Sequence, residues 1–413
     1  MKPLAIVALA LVIAACSRDE APEATATVAG NGPTATDRIT VPVGAPGDPA
    51  ARERERFDER WRKLVTFQRQ QQPGAARRQP GAAAANIQFL RGAKESFEGM
   101  TPQRINSAPV VVPIRGDMSG PSVLKTQVYL DRLDLSPGVI DGRWGKNTAI
   151  ALWWYQRSRG LQETGEVTEE TFRSLASEAE TAPAVVTHNV TSQDVEGPFV
   201  QIPEDVYEQE KLDCLCYESV REKLAERFHT TTDFLALLNP KANLDALRAG
   251  DSIIVPNVTR PAAANRAPIA RIVVSLEGNT LNGFDGSDNL VFHAPTTVGS
   301  EYDPSPTETL KITAIAHDPH FHYQPKLFHE VSDREPEANL QPGPNSPVGV
   351  VWMALSKPHY GIHGTSDPES IGYASSHGCI RLTNWDARAV AERASQGVVV
   401  EFADTRQSAV PAE

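Results

Sequence analysis

The sequence is short of positive charge, of cysteine and of long apolar runs. Its 40 lysines and arginines face 52 aspartates and glutamates, so the formal charge is −12. This balance argues against a general nucleic-acid binder, which normally carries a basic face. The apolar run at residues 4–15 has signal-peptide length and is too short to span a bilayer. At 413 residues the chain exceeds one typical core, so we expect two to four domains.

Only four cysteines occur, and the first lies at the end of the apolar run. Small residues stand directly before Cys16, which resembles a bacterial lipobox in which the cysteine becomes lipidated after cleavage. An ordinary signal peptide is the alternative. Since acyl chains on one residue would anchor the chain stably, we expect a lipoprotein on the periplasmic face of a membrane. The residue after the cysteine is Ser17 rather than aspartate, and by resemblance to the lipoproteins of two-membrane bacteria this favours the outer membrane over the inner one.

Cys214 and Cys216 are separated by one residue. A disulfide between them would close a tight, strained ring, and a metal site would need further ligands nearby. We interpret them as two small residues of a packed segment, without a functional role.

The last cysteine lies in the most informative stretch of the chain. Cys379 follows His377-Gly378, and a second histidine, His363, lies upstream. A free thiol titrates near ~8.5 and needs a base to act at neutral pH. Attack on a carbonyl also needs amide N–H groups for the oxyanion, and the glycine permits the tight turn that gathers them. The pattern predicts a cysteine acyl-transfer enzyme.

Several motifs in this region agree in order with one known family. Residues 270–402 resemble the catalytic domain of the L,D-transpeptidases, the YkuD-like family of bacterial cell-wall synthesis. The shared motifs are the Pro-Gly-rich segment 340–349, His363-Gly364-Thr365, Ile371-Gly372 and the Ser-His-Gly-Cys-Ile-Arg run at 376–381. One segment departs from the family, because Ser305-Pro306-Thr307-Glu308 stands where a Thr-Pro-x-Gly turn is usual. We expect this change to touch no catalytic position.

The resemblance implies a nucleophile, a base and an oxyanion site. Cys379 would be the nucleophile and His363 the general base. The two can then rest as an ion pair, since a nearby protonated histidine lowers a thiol's pKa. The carbonyl of Gly364 would orient the imidazole, and the amides of His377, Gly378 and Cys379 would hold the oxyanion.

The resemblance also suggests substrate contacts. The planar guanidinium of Arg381 suits a substrate carboxylate, with a loop-holding ion pair as the alternative. Tyr323 and Ser376 are further substrate-binding candidates, and residues 317–347 would form a lid over the site. No cofactor and no metal are expected, because the lid histidines match no compact metal-ligand spacing: His317, His320, His322 and His329.

The family's chemistry implies a murein L,D-transpeptidase. A thioester would form on a tetrapeptide stem with loss of its terminal D-alanine, and a stem amine would then take the acyl group. Water as acceptor would make the enzyme an L,D-carboxypeptidase, and a lipoprotein lysine would make it a protein–wall ligase. A non-catalytic peptidoglycan anchor and a thiol hydrolase outside wall metabolism are the rival classes.

Two accessory units precede the catalytic region. Residues 119–177 resemble a small three-helix peptidoglycan-binding domain through Ile140-Asp141-Gly142-x-Trp144-Gly145, with Thr168 as the N-cap of its third helix. Residues 201–257 resemble a small α/β LysM-like module with two helices and a strand. LysM modules bind N-acetylglucosamine chains, and a spacer that kept only the fold is the alternative.

The remaining assignments complete a multidomain chain. We expect a signal peptide over 1–16, then a flexible tether over 17–118 with one helix near 51–72. Residues 178–200 are expected to be linker. The catalytic domain, 269–404, is predicted as a mostly-β sandwich or barrel with one main helix at 384–395, followed by a tail over 405–413.

Overall fold

The computed structural model describes residues 87–179, 182–260, 265–328 and 330–403. Cys16, the helix predicted near 51–72, His329 and the predicted tail lie outside the described residues. Within those ranges, no helix has the length and apolar character needed to cross a membrane.

The segment before the helical domain is folded rather than flexible. Strands β1 (Phe89–Arg91) and β2 (Val110–Val112) pair in parallel around helix α1 (Pro102–Ser107). The three valines of β2 and Ile105 of α1 are buried. The predicted tether is therefore wrong for residues 87–118, because its few large apolar side chains are built into the neighbouring core.

Three helices follow, as the sequence predicts. They are α2 (Pro121–Arg132), α3 (Lys146–Ser158) and α4 (Glu169–Ala179). The hydroxyl of Thr168 accepts the N–H of Thr171 at 3.2 Å, which caps α4. Trp153 is fully buried, so it serves core packing rather than a glycan surface.

The next unit is built on a two-stranded antiparallel sheet. Strand β3 (Val185–Asn189) pairs with β4 (Ser252–Pro256). We predicted that residues 178–200 are linker, and this prediction is wrong because β3 lies within them. The local sequence does not reveal β3, since its partner β4 begins more than 60 residues later in the chain. Between the strands lie four helices: α5 (Ser192–Val195), α6 (Val206–Gln209), α7 (Val220–Arg227) and α8 (Thr232–Leu238).

Residues 196–219, between α5 and α7, form what we call the insertion. Cys214 and Cys216 are joined there by a disulfide. The tight ring that we expected to disfavour this bond does not prevent it, because the two Cα atoms lie 5.2 Å apart, within the span that a disulfide bridges. Leu215 between them is completely buried.

The catalytic region contains ten strands and one main helix. In chain order the strands are β5 (Arg271–Ser275), β6 (Thr280–Phe284), β7 (Leu290–Pro295), β8 (Leu310–His317), β9 (Phe321–Tyr323), β10 (Ala338–Leu340), β11 (Val351–Leu355), β12 (Gly361–His363), β13 (Ile380–Arg381) and β14 (Val399–Ala403). Helix α9 spans Asn384–Ala391, and the hydroxyl of Thr383 accepts the N–H of Asp386 at its start.

Eight of these strands form one sheet in the order β13-β12-β11-β8-β14-β5-β6-β7. Only β12–β13 and β14–β5 are parallel pairs. The region is mostly β as predicted, but it is one open curled sheet rather than a sandwich or closed barrel, since β13 and β7 are its two ends. Strands β9 and β10 pair separately as a hairpin, and we call residues 321–340 the flap.

Buried charges join the units to one another. The Asp131 carboxylate on α2 is bonded to Arg260 and lies 3.0 Å from the ring nitrogen of His229. Burial favours its protonated form, but Arg260 and His229 together outweigh burial and lower the pKa of Asp131 to about 2. Arg393 of the catalytic region reaches Asp134 at 3.0 Å. The accessory units are thus held against the catalytic sheet.

Candidate active site

Two neighbouring strands bring the predicted nucleophile and base to one cavity. In the parallel pair β12–β13, Ile362 lies opposite Ile380 and His363 lies opposite Arg381. Cys379 directly precedes β13, so it lies beside Gly361 at the start of β12. Cys379, His363 and Arg381 line the same cavity of about 760 Å³.

The imidazole of His363 is held in one orientation. The residue is only 4% exposed, and its ring stacks on Trp352, which lies directly opposite on β11, with ring centroids 5.3 Å apart. Nδ1 lies 2.6 Å from the carbonyl oxygen of Gly364, the contact expected from the sequence. A carbonyl only accepts, so Nδ1 carries the hydrogen and Nε2 is left as the acceptor.

The electrostatics favour a neutral imidazole. Burial, assisted by the nearby positive charge of Arg381, lowers the pKa of His363 to about 3, despite the opposing hydrogen bond to Gly364. At neutral pH His363 is therefore a free base that can accept a proton.

The thiol of Cys379 is also neutral at rest. It is partly exposed to the cavity, yet the surrounding protein raises its pKa, against the smaller lowering effects of the Gly361 amide and Arg381. Its sulfur donates to the carbonyl of His359 at 3.5 Å. These pKa shifts oppose the resting ion pair expected from the sequence, because burial disfavours the charged form of both groups.

The loop before β13 presents free amides beside the sulfur. Gly378 adopts φ +98°, and a Cβ there would lie 2.9 Å from the Tyr360 ring. Only glycine satisfies both conditions without strain. Among the described residues, the amides of Gly378 and Cys379 donate to no protein group. The amide of Gly364 is different, because it donates to Val351 at 3.2 Å.

Two buried serines hold the carbonyls of this loop. The Ser376 hydroxyl donates to the carbonyl of Cys379 at 2.6 Å, and Ser376 also lines the cavity, so its predicted contact with substrate stays a prediction. The Ser305 hydroxyl donates to the carbonyl of Gly378 at 2.8 Å. The departing segment 305–308 therefore does contact the nucleophile loop, contrary to our expectation. Sequence reasoning missed Ser305, although its place in a family turn motif was a usable signal.

Arg381 reaches the cavity without an acidic partner. Within the described residues it makes no ion pair, and its buried Nε has no hydrogen-bond partner. Burial lowers the pKa of Arg381, against the pull of Cys379 and Asp367. The alternative role as a loop-holding ion pair is thereby disfavoured, and a cation able to receive a carboxylate remains.

The flap covers the cavity and contacts the nucleophile loop. Tyr323 on β9 lines the cavity and its ring lies 5.1 Å from Phe328. Phe328 meets the ring of His377 edge-on at 4.8 Å, and His377 lies 2.6 Å from Glu330. The side chain of His377 thus joins the loop to the flap.

The insertion fastens the base of the flap. Leu215 donates its N–H to Pro342 at 3.0 Å and accepts the N–H of Asn345 at 2.9 Å. Its side chain is buried with Ala338 and Leu340. Glu204 of the same insertion lines the cavity. A part of the chain outside the catalytic region therefore helps to build the site.

Among the described residues of the lid, three of the four histidines can be located. His317, His320 and His322 are exposed, and His322 pairs with Glu337 at 2.9 Å. Across the described ranges, a different group has ligand atoms within 4.8 Å of one another: Asp303, Glu330 and His377.

Comparisons with known proteins identify the family of the catalytic region. The family model described as "L,D-transpeptidase catalytic domain" matches residues 269–401, and the one described as "Putative peptidoglycan binding domain" matches residues 119–175. A "Putative L,D-transpeptidase YkuD" of Bacillus licheniformis is 36% identical over 181 residues, covering 44% of this chain and 92% of the relative. Its namesake in Bacillus subtilis is 31% identical over 177 residues, covering 43% and 89%. Among solved structures, an L,D-transpeptidase from Mycobacterium smegmatis is 17% identical, with a TM-score of 0.27 over 38% of this chain and 64% of that chain.

Proposed function

Because the chain belongs to the L,D-transpeptidase family, we propose that it cross-links peptidoglycan by acyl transfer through a thioester on Cys379. One observation carries the proposal. Cys379 and His363 share one cavity, with the imidazole neutral and its Nε2 left as a proton acceptor. Neutral partners suit general-base activation during attack rather than a preformed thiolate.

The first half-reaction makes the thioester. Cys379 gives its proton to His363 while its sulfur bonds to the carbonyl carbon of the third stem residue, and the carbonyl π electrons move onto oxygen. The free amides of Gly378 and Cys379, with that of His377, receive this negative oxygen. Collapse breaks the C–N bond to the terminal D-alanine, whose amine takes the proton from the imidazolium.

The second half-reaction makes the cross-link. An amine of another stem attacks the thioester carbonyl and passes one proton to His363. The sulfur leaves, recovers that proton, and a new amide remains. Arg381 binds a carboxylate of the donor stem, and Tyr323 on the flap packs against the bound chain.

Defined muropeptides test the reaction. The full chain carrying Cys16→Ser is incubated with a disaccharide-tetrapeptide, and the products are separated by liquid chromatography with mass detection. We expect dimers that have lost one D-alanine, and none from Cys379→Ala. Tripeptide without dimers would make the protein a carboxypeptidase. Unchanged tetrapeptide with a folded protein would contradict the proposal and favour a wall anchor.

We further propose that the β3–β4 unit is a LysM-like module that binds glycan. Its antiparallel strands flank the helix pair α7 and α8. The match to the Bacillus licheniformis relative covers 181 residues. The stretch from residue 269 to the last residue is shorter than this, so the match begins before the catalytic region, toward this unit. Calorimetry of the full chain with an N-acetylglucosamine tetramer tests this. Absence of binding heat would make the unit a spacer.

We also propose that Cys16 is lipidated and holds the protein at the periplasmic face of the outer membrane. The small residues before Cys16 and the polar stretch after it support this proposal. Metabolic labelling with an alkyne fatty acid should mark the wild type and spare Cys16→Ser. Equal labelling of both would refute lipidation at this position.

A further inference from the structure

The nucleophile loop is anchored from two sides by buried hydroxyl groups. Ser376 donates to the carbonyl of Cys379 at 2.6 Å, and Ser305 donates to the carbonyl of Gly378 at 2.8 Å. Ser376 belongs to the loop itself, whereas Ser305 lies 73 residues earlier in the chain. The two serines are 3% and 7% exposed, so these bonds are shielded from water.

Ser305 is itself held in place. Its hydroxyl oxygen accepts the N–H of Gly299 at 2.8 Å while its hydrogen goes to Gly378. A side chain at Gly299 would overlap the backbone of Asp303 and Ser305, so this turn is closely packed. The hydroxyl therefore joins two backbone segments through both its donor and its acceptor capacity.

The bond to Gly378 controls the direction of the next amide. The carbonyl of Gly378 and the N–H of Cys379 belong to one planar trans peptide, in which they point in opposite directions. A carbonyl fixed toward Ser305 therefore turns the Cys379 N–H away from Ser305. That N–H has no acceptor among the described residues, which is the condition expected of a donor kept for a transient anion.

We propose that Ser305 is a positioning residue for the oxyanion, acting through the Gly378–Cys379 peptide. This inference rests on the proposed function. When the sulfur bonds to the substrate carbonyl, the displaced electron pair gathers on oxygen, and the aligned Cys379 N–H stabilises it. Without the Ser305 hydroxyl, the peptide can rotate and the donor is misaligned at the moment when charge develops.

Two reactions of one thiol separate this role from a general effect on the loop. Acylation by imipenem opens a β-lactam carbonyl and passes through an oxyanion. Alkylation by iodoacetamide displaces iodide from carbon and forms none. In Ser305→Ala, loss of an aligned donor should slow acylation about tenfold to a hundredfold. Alkylation should change less than about twofold, because Ser305 is not among the groups that shift the thiol pKa.

Matched variants complete the test. Ser305→Thr keeps the hydroxyl and should retain acylation, whereas Ser305→Val, of the same size, should behave as Ser305→Ala does. Exposed Thr307 lies in the same turn, and Thr307→Ala should match the wild type in both reactions. If Ser305→Ala fails to fold, the comparison of Ser305→Thr with Ser305→Val still tests the role of the hydroxyl group.

Three results would overturn the inference. They are wild-type acylation in Ser305→Ala, equal rates for Ser305→Thr and Ser305→Val, or parallel losses of acylation and alkylation. Failure of the proposed function looks different, because the wild type would then not acylate at Cys379 at all.

Discussion

The resting state of the thiol makes a sharp prediction about pH. The surrounding protein raises the pKa of Cys379 and lowers that of His363 to about 3. An ordinary thiol of pKa ~8.5 is about 3% ionised at pH 7, so Cys379 should be less ionised than that. The thiolate population then rises about tenfold with each pH unit below the pKa.

Alkylation by iodoacetamide reads this population directly. With Cys16→Ser in the full chain and Cys214–Cys216 bonded, Cys379 is the free thiol. Between pH 6 and pH 8 its alkylation rate should rise about a hundredfold. A thiolate–imidazolium pair would instead give a rate nearly independent of pH across this range.

His363→Ala provides the control. If the resting pair is neutral, removing the imidazole should leave the slope of the alkylation profile unchanged while acylation by imipenem falls about a hundredfold or more. A flat profile in the wild type that becomes steep in His363→Ala would refute the neutral pair.

Three further predictions concern structure. Gly378→Ala places an alanine at a backbone φ of +98° with its Cβ against the Tyr360 ring. Imipenem acylation should fall at least about tenfold, and the protein should lose about 1–3 kcal/mol of stability. A wild-type acylation rate would contradict the loop geometry. Leu215→Ala removes buried contacts with the flap base and should weaken local stability by about 2–4 kcal/mol, measured as faster hydrogen exchange at the flap base. Leu237 is 49% exposed, so Leu237→Ala should leave that exchange unchanged. Equal exchange in the two variants would contradict the role of Leu215 in holding the flap. The ionised Asp131 contributes stability above its unfolded pKa, and this contribution is lost as the pH falls toward about 2. The free energy of unfolding should therefore depend less steeply on acid pH in Asp131→Asn than in the wild type. An unchanged pH dependence would contradict this role.

Local features of the site were predictable from the sequence. The histidine, glycine and cysteine of the loop stand together, and their residue types require nearby amides and a tight turn. The contact of His363 with Gly364 joins adjacent residues, so the motif alone implies it. Helix α9 was also locally encoded, although it ends at Ala391, four residues before its predicted end.

Long-range contacts were not predictable in the same way. Val186 of β3 pairs with Val255, and neither segment shows its partner locally. Ser305 reaches Gly378 across 73 residues, and only the fold reveals that a substituted turn holds the nucleophile loop. Ring strain alone could not decide the state of Cys214 and Cys216, and the packing of Leu215 between them against Ala338 and Leu340 appears only in the fold.

Electrostatics depended on packing as well. A cysteine beside a histidine favours an ion pair when both are solvated. Here Trp352 covers the imidazole, and the surrounding protein excludes water from it. The sequence pattern identifies the histidine and the cysteine, but it does not predict that packing removes water from them.

The central claim is that Cys379 takes an acyl group from a carbonyl donor. Intact-protein mass spectrometry after exposure of the Cys16→Ser chain to imipenem tests it most directly. We predict a single adduct that peptide mapping assigns to Cys379 and that is absent from Cys379→Ala. A folded wild-type protein that gains no mass, or an adduct that persists in Cys379→Ala, would contradict it.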